Sequence, residues 1–63
     1  MGTTEEVLEM YNYYKNRIKD MKKEEQIEWL EDIKFNINMI DRWERKEYIC
    51  MDAIIKLLEE IKK

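Results

Sequence analysis

From position 3 onward, nothing in this chain is built to stop a helix. It has no proline and no histidine, and its one glycine is Gly2. The residues that most often break or end helices are therefore missing from nearly the whole sequence. Breaks must come from the order of apolar and charged side chains. The clearest is Trp43-Glu44-Arg45-Lys46-Glu47-Tyr48, which separates two strongly apolar segments. A chain of this kind reads as an all-α bundle.

With 63 residues there is room for one domain, spanning 1–63, and it must be stabilised with little interior. Chains this short commonly need a disulfide, a metal or a second subunit. Cys50 has no second cysteine to pair with, and a chain without histidine and with one thiol is poorly equipped for structural zinc. Oligomerisation is the remaining remedy, so the expectation is a bundle completed as a homodimer. Charged residues make up 43% of the chain and apolar ones 44%, with the signs interleaved, which fits a folded domain and not a disordered tail. The net charge of -3 argues against a dedicated nucleic-acid binder. No apolar run approaches the roughly 18–20 residues of a membrane span. No basic start leads into an apolar signal segment either. An unpaired cysteine suits a reducing compartment, so a cytoplasmic protein is expected.

The first helix is expected over residues 4–20. Thr3 as N-cap and Glu6 three residues later form a capping box. Glu5, Glu6 and Glu9 lie at the positive end of the helix dipole, with Lys15, Arg17 and Lys19 toward the negative end. At about 100° per residue, Val7, Tyr11, Tyr14, Ile18 and Met21 share one stripe, with Leu8 and Met10 beside it.

The segments Met21-Lys22-Lys23-Glu24-Glu25-Gln26 and Trp43-Glu44-Arg45-Lys46-Glu47-Tyr48 share a pattern: a large apolar residue, then charged residues ending in glutamate. Each suits a new helix start with Glu25 or Glu47 at the third helical position. Trp43 and Tyr48 are placed to form a hydrophobic staple, whereas the first junction has Gln26 at the corresponding position. Helices over 23–42 and 45–62 follow. Failure of the first junction gives two long helices instead of three.

Helix two carries a main stripe of Trp29, Leu30, Ile33, Ile37 and Ile40, and Phe35 and Met39 project from nearly the opposite side. Helix three spreads Cys50, Met51, Ile54, Ile55, Leu57, Leu58 and Ile61 over roughly half its circumference or more. This is more apolar surface than a lone three-helix bundle needs, and such an excess marks an interaction surface. Two arrangements account for it. In one, Trp29, Phe35, Met39 and the outer edge of helix three, represented by Cys50, Leu57 and Ile61, meet a partner. In the other, the first helix covers Phe35 and Met39, with helix two in the middle of a flat array. A homodimer accommodates either.

Residues suited to chemistry are scarce. Glu24, Glu25, Glu28, Glu31 and Asp32 cluster, but bundle metal sites complete their glutamates with histidine, so these acids read as a solvated face. Lys15, Arg17, Lys19, Lys22 and Lys23 lie near Tyr11, Tyr13 and Tyr14. They offer phosphate contact and base stacking to an alternative function, a small helical nucleic-acid-binding regulator. They point in several directions around the helix, and nucleic acid is not the expected partner. Cys50 lacks a histidine or strongly positive setting to activate it and reads as a small hydrophobe. Phosphate loops, nucleophile triads and zinc spacings do not occur. No cofactor or metal site and no catalytic residue is expected, so the chain reads as a non-enzyme. Asp41 with Arg45, and Asp52 with Lys56, are spaced as structural acid-to-base pairs. Trp43 is accounted for by the staple, and Trp29 is the stronger contact candidate of the two tryptophans.

The segment Ile40-Asp41-Arg42-Trp43, followed by Glu47-Tyr48 and an apolar helix, resembles short phage-encoded helical proteins of low-GC Gram-positive bacteria. The resemblance covers about a third of the chain. It departs at Glu44, where that pattern has a Ser, Thr or Asn cap. Most such proteins have no assigned activity, so no functional residue carries over. What the resemblance implies is origin and mode of action: proteins of this kind often bind and block a bacterial host protein or anti-phage defence complex.

Overall fold

The computed structural model describes residues 3–63, which form three helices: α1 (Thr4–Ile18), α2 (Lys23–Asn38) and α3 (Arg45–Ile61). The α1 capping box forms. Thr3 is extended, its Oγ1 accepts from the Glu6 amide at 3.2 Å, and Glu6 Oε1 accepts from the Thr3 amide at 3.3 Å. The other two helices start from extended Lys22 and Glu44, whose side chains do not cap. At each start the glutamate of the first turn does the capping. The Lys22 amide donates to Glu25 Oε1 at 3.2 Å and the Glu44 amide to Glu47 Oε1 at 2.8 Å. The Trp43 and Tyr48 rings meet edge to face, centroids 5.1 Å apart, which completes the staple ahead of α3.

All three helices end earlier than their sequence patterns suggest, α2 most of all, at Asn38 instead of 42. The cause is the same at both internal breaks. A continuing helix would give the Ile18 carbonyl to the Lys22 amide and the Ile37 carbonyl to the Asp41 amide. Instead, Ile18 O accepts from the Met21 amide at 3.0 Å and from Gln26 Nε2 at 2.8 Å. Likewise Ile37 O accepts from the Ile40 amide at 3.1 Å and from Trp43 Nε1 at 2.9 Å. Each carbonyl is thus satisfied by a tighter turn plus a side chain folding back from further along the chain. The early end of α2 also separates Asp41 from any helical partner. Arg45 turns instead to Glu6, with its Nε 3.2 Å from Glu6 Oε2 and its Nη2 on Oε1.

α3 is the central element. It packs most extensively on α1 and then on α2, while α1 and α2 touch less, through the edge-on rings of Tyr14 and Trp29, 5.9 Å apart, and through the Gln26 side chain on Ile18 O. Glu6 and Arg45 join the starts of α1 and α3, and Lys15, Ile18 and Lys19 line a depression with Leu57, Glu60 and Ile61 at their other ends. The two helices therefore run parallel, and α2 carries the chain back from the end of α1 to the start of α3. The core joins Tyr11, Tyr14 and Ile18 of α1 with Leu30 and Ile37 of α2, around Met51, Ala53, Ile54, Leu57 and Leu58 of α3.

This placement corrects the flat-array alternative. α3, not α2, lies in the middle, and its wide apolar arc serves two neighbours within the chain. Leu57, expected at an interface, is 3% exposed and belongs to the core. Phe35 and Met39 are not covered by α1.

Candidate interaction surface

Leu30 and Ile37 take the buried side of α2, which turns Phe35 and Met39 outward. Phe35 is 64% exposed, Met39 67% and Ile40, just past the helix, 43%. These three are neighbours in sequence and sit where α2 ends and the chain turns. The Trp43 indole, bonded to Ile37 O, holds that turn against the helix end. Glu31, Lys34 and Asn38 line a shallow depression of about 300 Å³ beside Phe35. An apolar cluster with a polar border results.

The remaining expected contact residues do not join it. Trp29 is half-buried against Tyr14 and lines a different depression, about 280 Å³, with Met21, Glu25, Glu28 and Asp32. Cys50 is half-buried in a groove of about 210 Å³ with Glu6, Glu9, Met10, Lys46 and Ile49. Ile61, also half-buried, lies in the depression of about 380 Å³ at the far ends of α1 and α3. Of the six expected residues, only Phe35 and Met39 form one exposed unit. Ile40 belongs with them and was assigned to the core stripe only because the helix was carried too far. Leu8, Tyr13, Tyr48 and Ile55 are also exposed. Single exposed apolar side chains are ordinary and need no partner.

The charged groups are distributed as follows. Glu24, Glu25, Glu28, Glu31 and Asp32 are all exposed along α2, and Glu31 Oε2 lies 3.5 Å from Lys62 Nζ. Lys15 is drawn over the Tyr11 ring, 5.5 Å from its centroid, with Lys56 on the same ring at 6.0 Å. No ion pair joins Lys56 to Asp52 among the described residues. Tyr11 and Tyr14 are buried, so of the three tyrosines near the basic run only Tyr13 has an exposed ring for stacking.

Among the described residues three titrations are displaced. The Arg45 guanidinium, followed by the Thr3 hydrogen bonds, holds the Glu6 carboxyl below its ordinary range. Hydrogen bonding to Glu60, then burial, pushes the Tyr11 hydroxyl up. Burial first, and then the Cys50 thiol, pushes Tyr14 up further. Among the described residues no group of three or more metal-binding side chains converges, and no helix is long and apolar enough to cross a membrane. In comparisons with known proteins, no family model, no curated protein and no solved structure matches this chain.

Proposed function

We propose that this chain is a small, non-catalytic interaction protein that acts by covering part of another protein's surface, with Phe35, Met39 and Ile40 as its contact face. The observation that carries the reading is their shared exposure at one end of α2. Grouped apolar side chains inside a polar border are a common form of docking surface, and a large aromatic at the centre is a common anchor. The resemblance at Ile40 to Tyr48 supports a phage origin. The target is then a bacterial host protein or an anti-phage defence complex in the host cytoplasm. Self-association as a homodimer belongs to the same reading, because the face that meets a target can also meet itself.

The test expresses the wild type and the Phe35→Glu/Met39→Glu variant in low-GC Gram-positive strains that restrict phage growth. The wild type should raise phage plating on a restricting strain. A photo-crosslinking amino acid at position 35 should trap one bacterial protein. The double variant should lose the plating effect while keeping its helical circular dichroism. Unchanged plating on every strain, with no bacterial protein trapped, would remove the proposal.

A further inference from the structure

Formal charge is spread unevenly along this chain. Of its 15 acids and 12 bases, α2 holds Glu24, Glu25, Glu28, Glu31 and Asp32 against Lys23 and Lys34, a net of -3. The ten acids and ten bases elsewhere cancel, so the whole net charge of -3 resides on one helix. At about 100° per residue, all five carboxylates fall within an arc of about 120°, and Phe35 and Met39 fall within the same arc. Buried Leu30 and Ile37 lie opposite, while Lys23 and Lys34 lie outside the arc on one flank. The turn that follows adds Asp41 and Glu44 against Arg42, so no basic patch borders the face there.

All five carboxylates are exposed. Glu31 Oε2 lies 3.5 Å from Lys62 Nζ, and the other four make no ion pair among the described residues. Glu24, Glu28 and Asp32 are spaced four apart, a like-charge arrangement that weakens a helix taken by itself. The chain offsets little of that repulsion. Glu25, Glu28 and Asp32 also border the depression of about 280 Å³ that holds Met21 and half-buried Trp29. A cation entering it meets three carboxylates and an indole ring. Further along the same arc, Phe35 and Met39 offer apolar contact.

We infer that the outer face of α2 docks on a basic protein surface, where lysine or arginine side chains meet Glu25, Glu28 and Asp32 and an apolar pocket takes Phe35 and Met39. The inference rests on the proposed contact face and names the chemistry of what that face meets. Opposite charges set across an interface speed encounter and select the partner, while buried apolar anchors hold it. A second copy brings the same carboxylates to the contact, so it is the poorer occupant.

Nuclear magnetic resonance titration of the labelled chain with three peptides tests it, with circular dichroism to verify folding of every variant. The first peptide is an amphipathic helix with a leucine face and a lysine face. The second replaces its lysines by glutamate, and the third replaces its leucines by serine. The leucine–lysine peptide should shift the amides around Glu28, Asp32, Phe35 and Met39, with a dissociation constant on the order of tens to hundreds of micromolar. The other two should bind at least about tenfold more weakly, and added salt should weaken the first. At about 0.15 M salt, Glu28→Lys/Asp32→Lys should weaken binding at least about tenfold and Phe35→Ser about fivefold. Asp52→Lys/Glu59→Lys, the same charge change on exposed residues of α3, should leave it within about twofold. No binding up to about 1 mM overturns the inference. So do shifts centred on α1 or α3, a control peptide that binds as well as the first, or an α3 variant that loses as much as the α2 variant. A bacterial protein trapped from position 35 with no loss on Glu28→Lys/Asp32→Lys overturns the basic partner and leaves the contact function standing. A leucine–lysine peptide bound as described, with plating unchanged and no bacterial protein trapped, does the reverse.

Discussion

Glu6 serves two helices with one carboxylate. It closes the capping box on Thr3 and holds Arg45, the first residue of α3. The carboxylate form makes these contacts, so folding favours ionisation and the folded group titrates below its unfolded counterpart. Its contribution is therefore complete at neutral pH. It is lost as pH falls through the ordinary carboxylate range, about 4.3, and on through the lower folded value. Glu6→Gln should lower the thermal midpoint at pH 7 and reduce the difference between pH 7 and pH 3. Melts at both values check this. Because the pair is exposed, added salt should shrink the effect at pH 7. An unchanged acid dependence in the variant would show that the link between the two helix starts contributes nothing.

At the scale of the element, starts and stops obey different rules in this chain. The starts were legible: Glu6, Glu25 and Glu47 stand three residues after the caps they serve, and Trp43 and Tyr48 have the spacing of a staple. These are local relations, and linear spacing records them. The stops were not legible, since the groups that end α1 and α2 come from Gln26 and Trp43, eight and six residues past the carbonyls they bind. Nothing in the pattern of Ile40 or Arg42 announces that the helix has already ended. Trp43→Phe tests this account of the second stop, because it keeps an aromatic ring for Tyr48 and removes the indole N–H. Ile37 O then retains only the Ile40 amide, which should cost about 1 kcal/mol in urea denaturation. Gln26→Ala should cost a similar amount at the first stop. Sharing no partners, the two losses should add in the double variant.

For the whole molecule, the central position of α3 decides which apolar residues matter. Its arc was visible in the sequence, but its cause was not. A helix flanked on two sides by its own chain shows the same pattern as a helix flanked by one neighbour and a foreign partner. The two cases differ only in where α1 and α2 sit, and short turns of either geometry are compatible with the same spacing. Leu57 and Phe35 separate them experimentally. Leu57 is 3% exposed between the neighbours of α3, whereas Phe35 is 64% exposed. Leu57→Ala should cost about 2–5 kcal/mol through lost burial and the cavity left behind. Phe35→Ala should stay within about 0.5 kcal/mol. Total stability for 63 residues is on the order of 3–9 kcal/mol, so the first change takes much or all of what holds the chain together. Native-state hydrogen exchange should show the same ranking without mutation. The amides of Ile54, Leu57 and Leu58 should open only with global unfolding, and those at the end of α2, near Asn38, should exchange through local fraying. Protection highest in α2 would mean that the chain is organised around a different helix, and the outward placement of Phe35 and Met39 would fall with it.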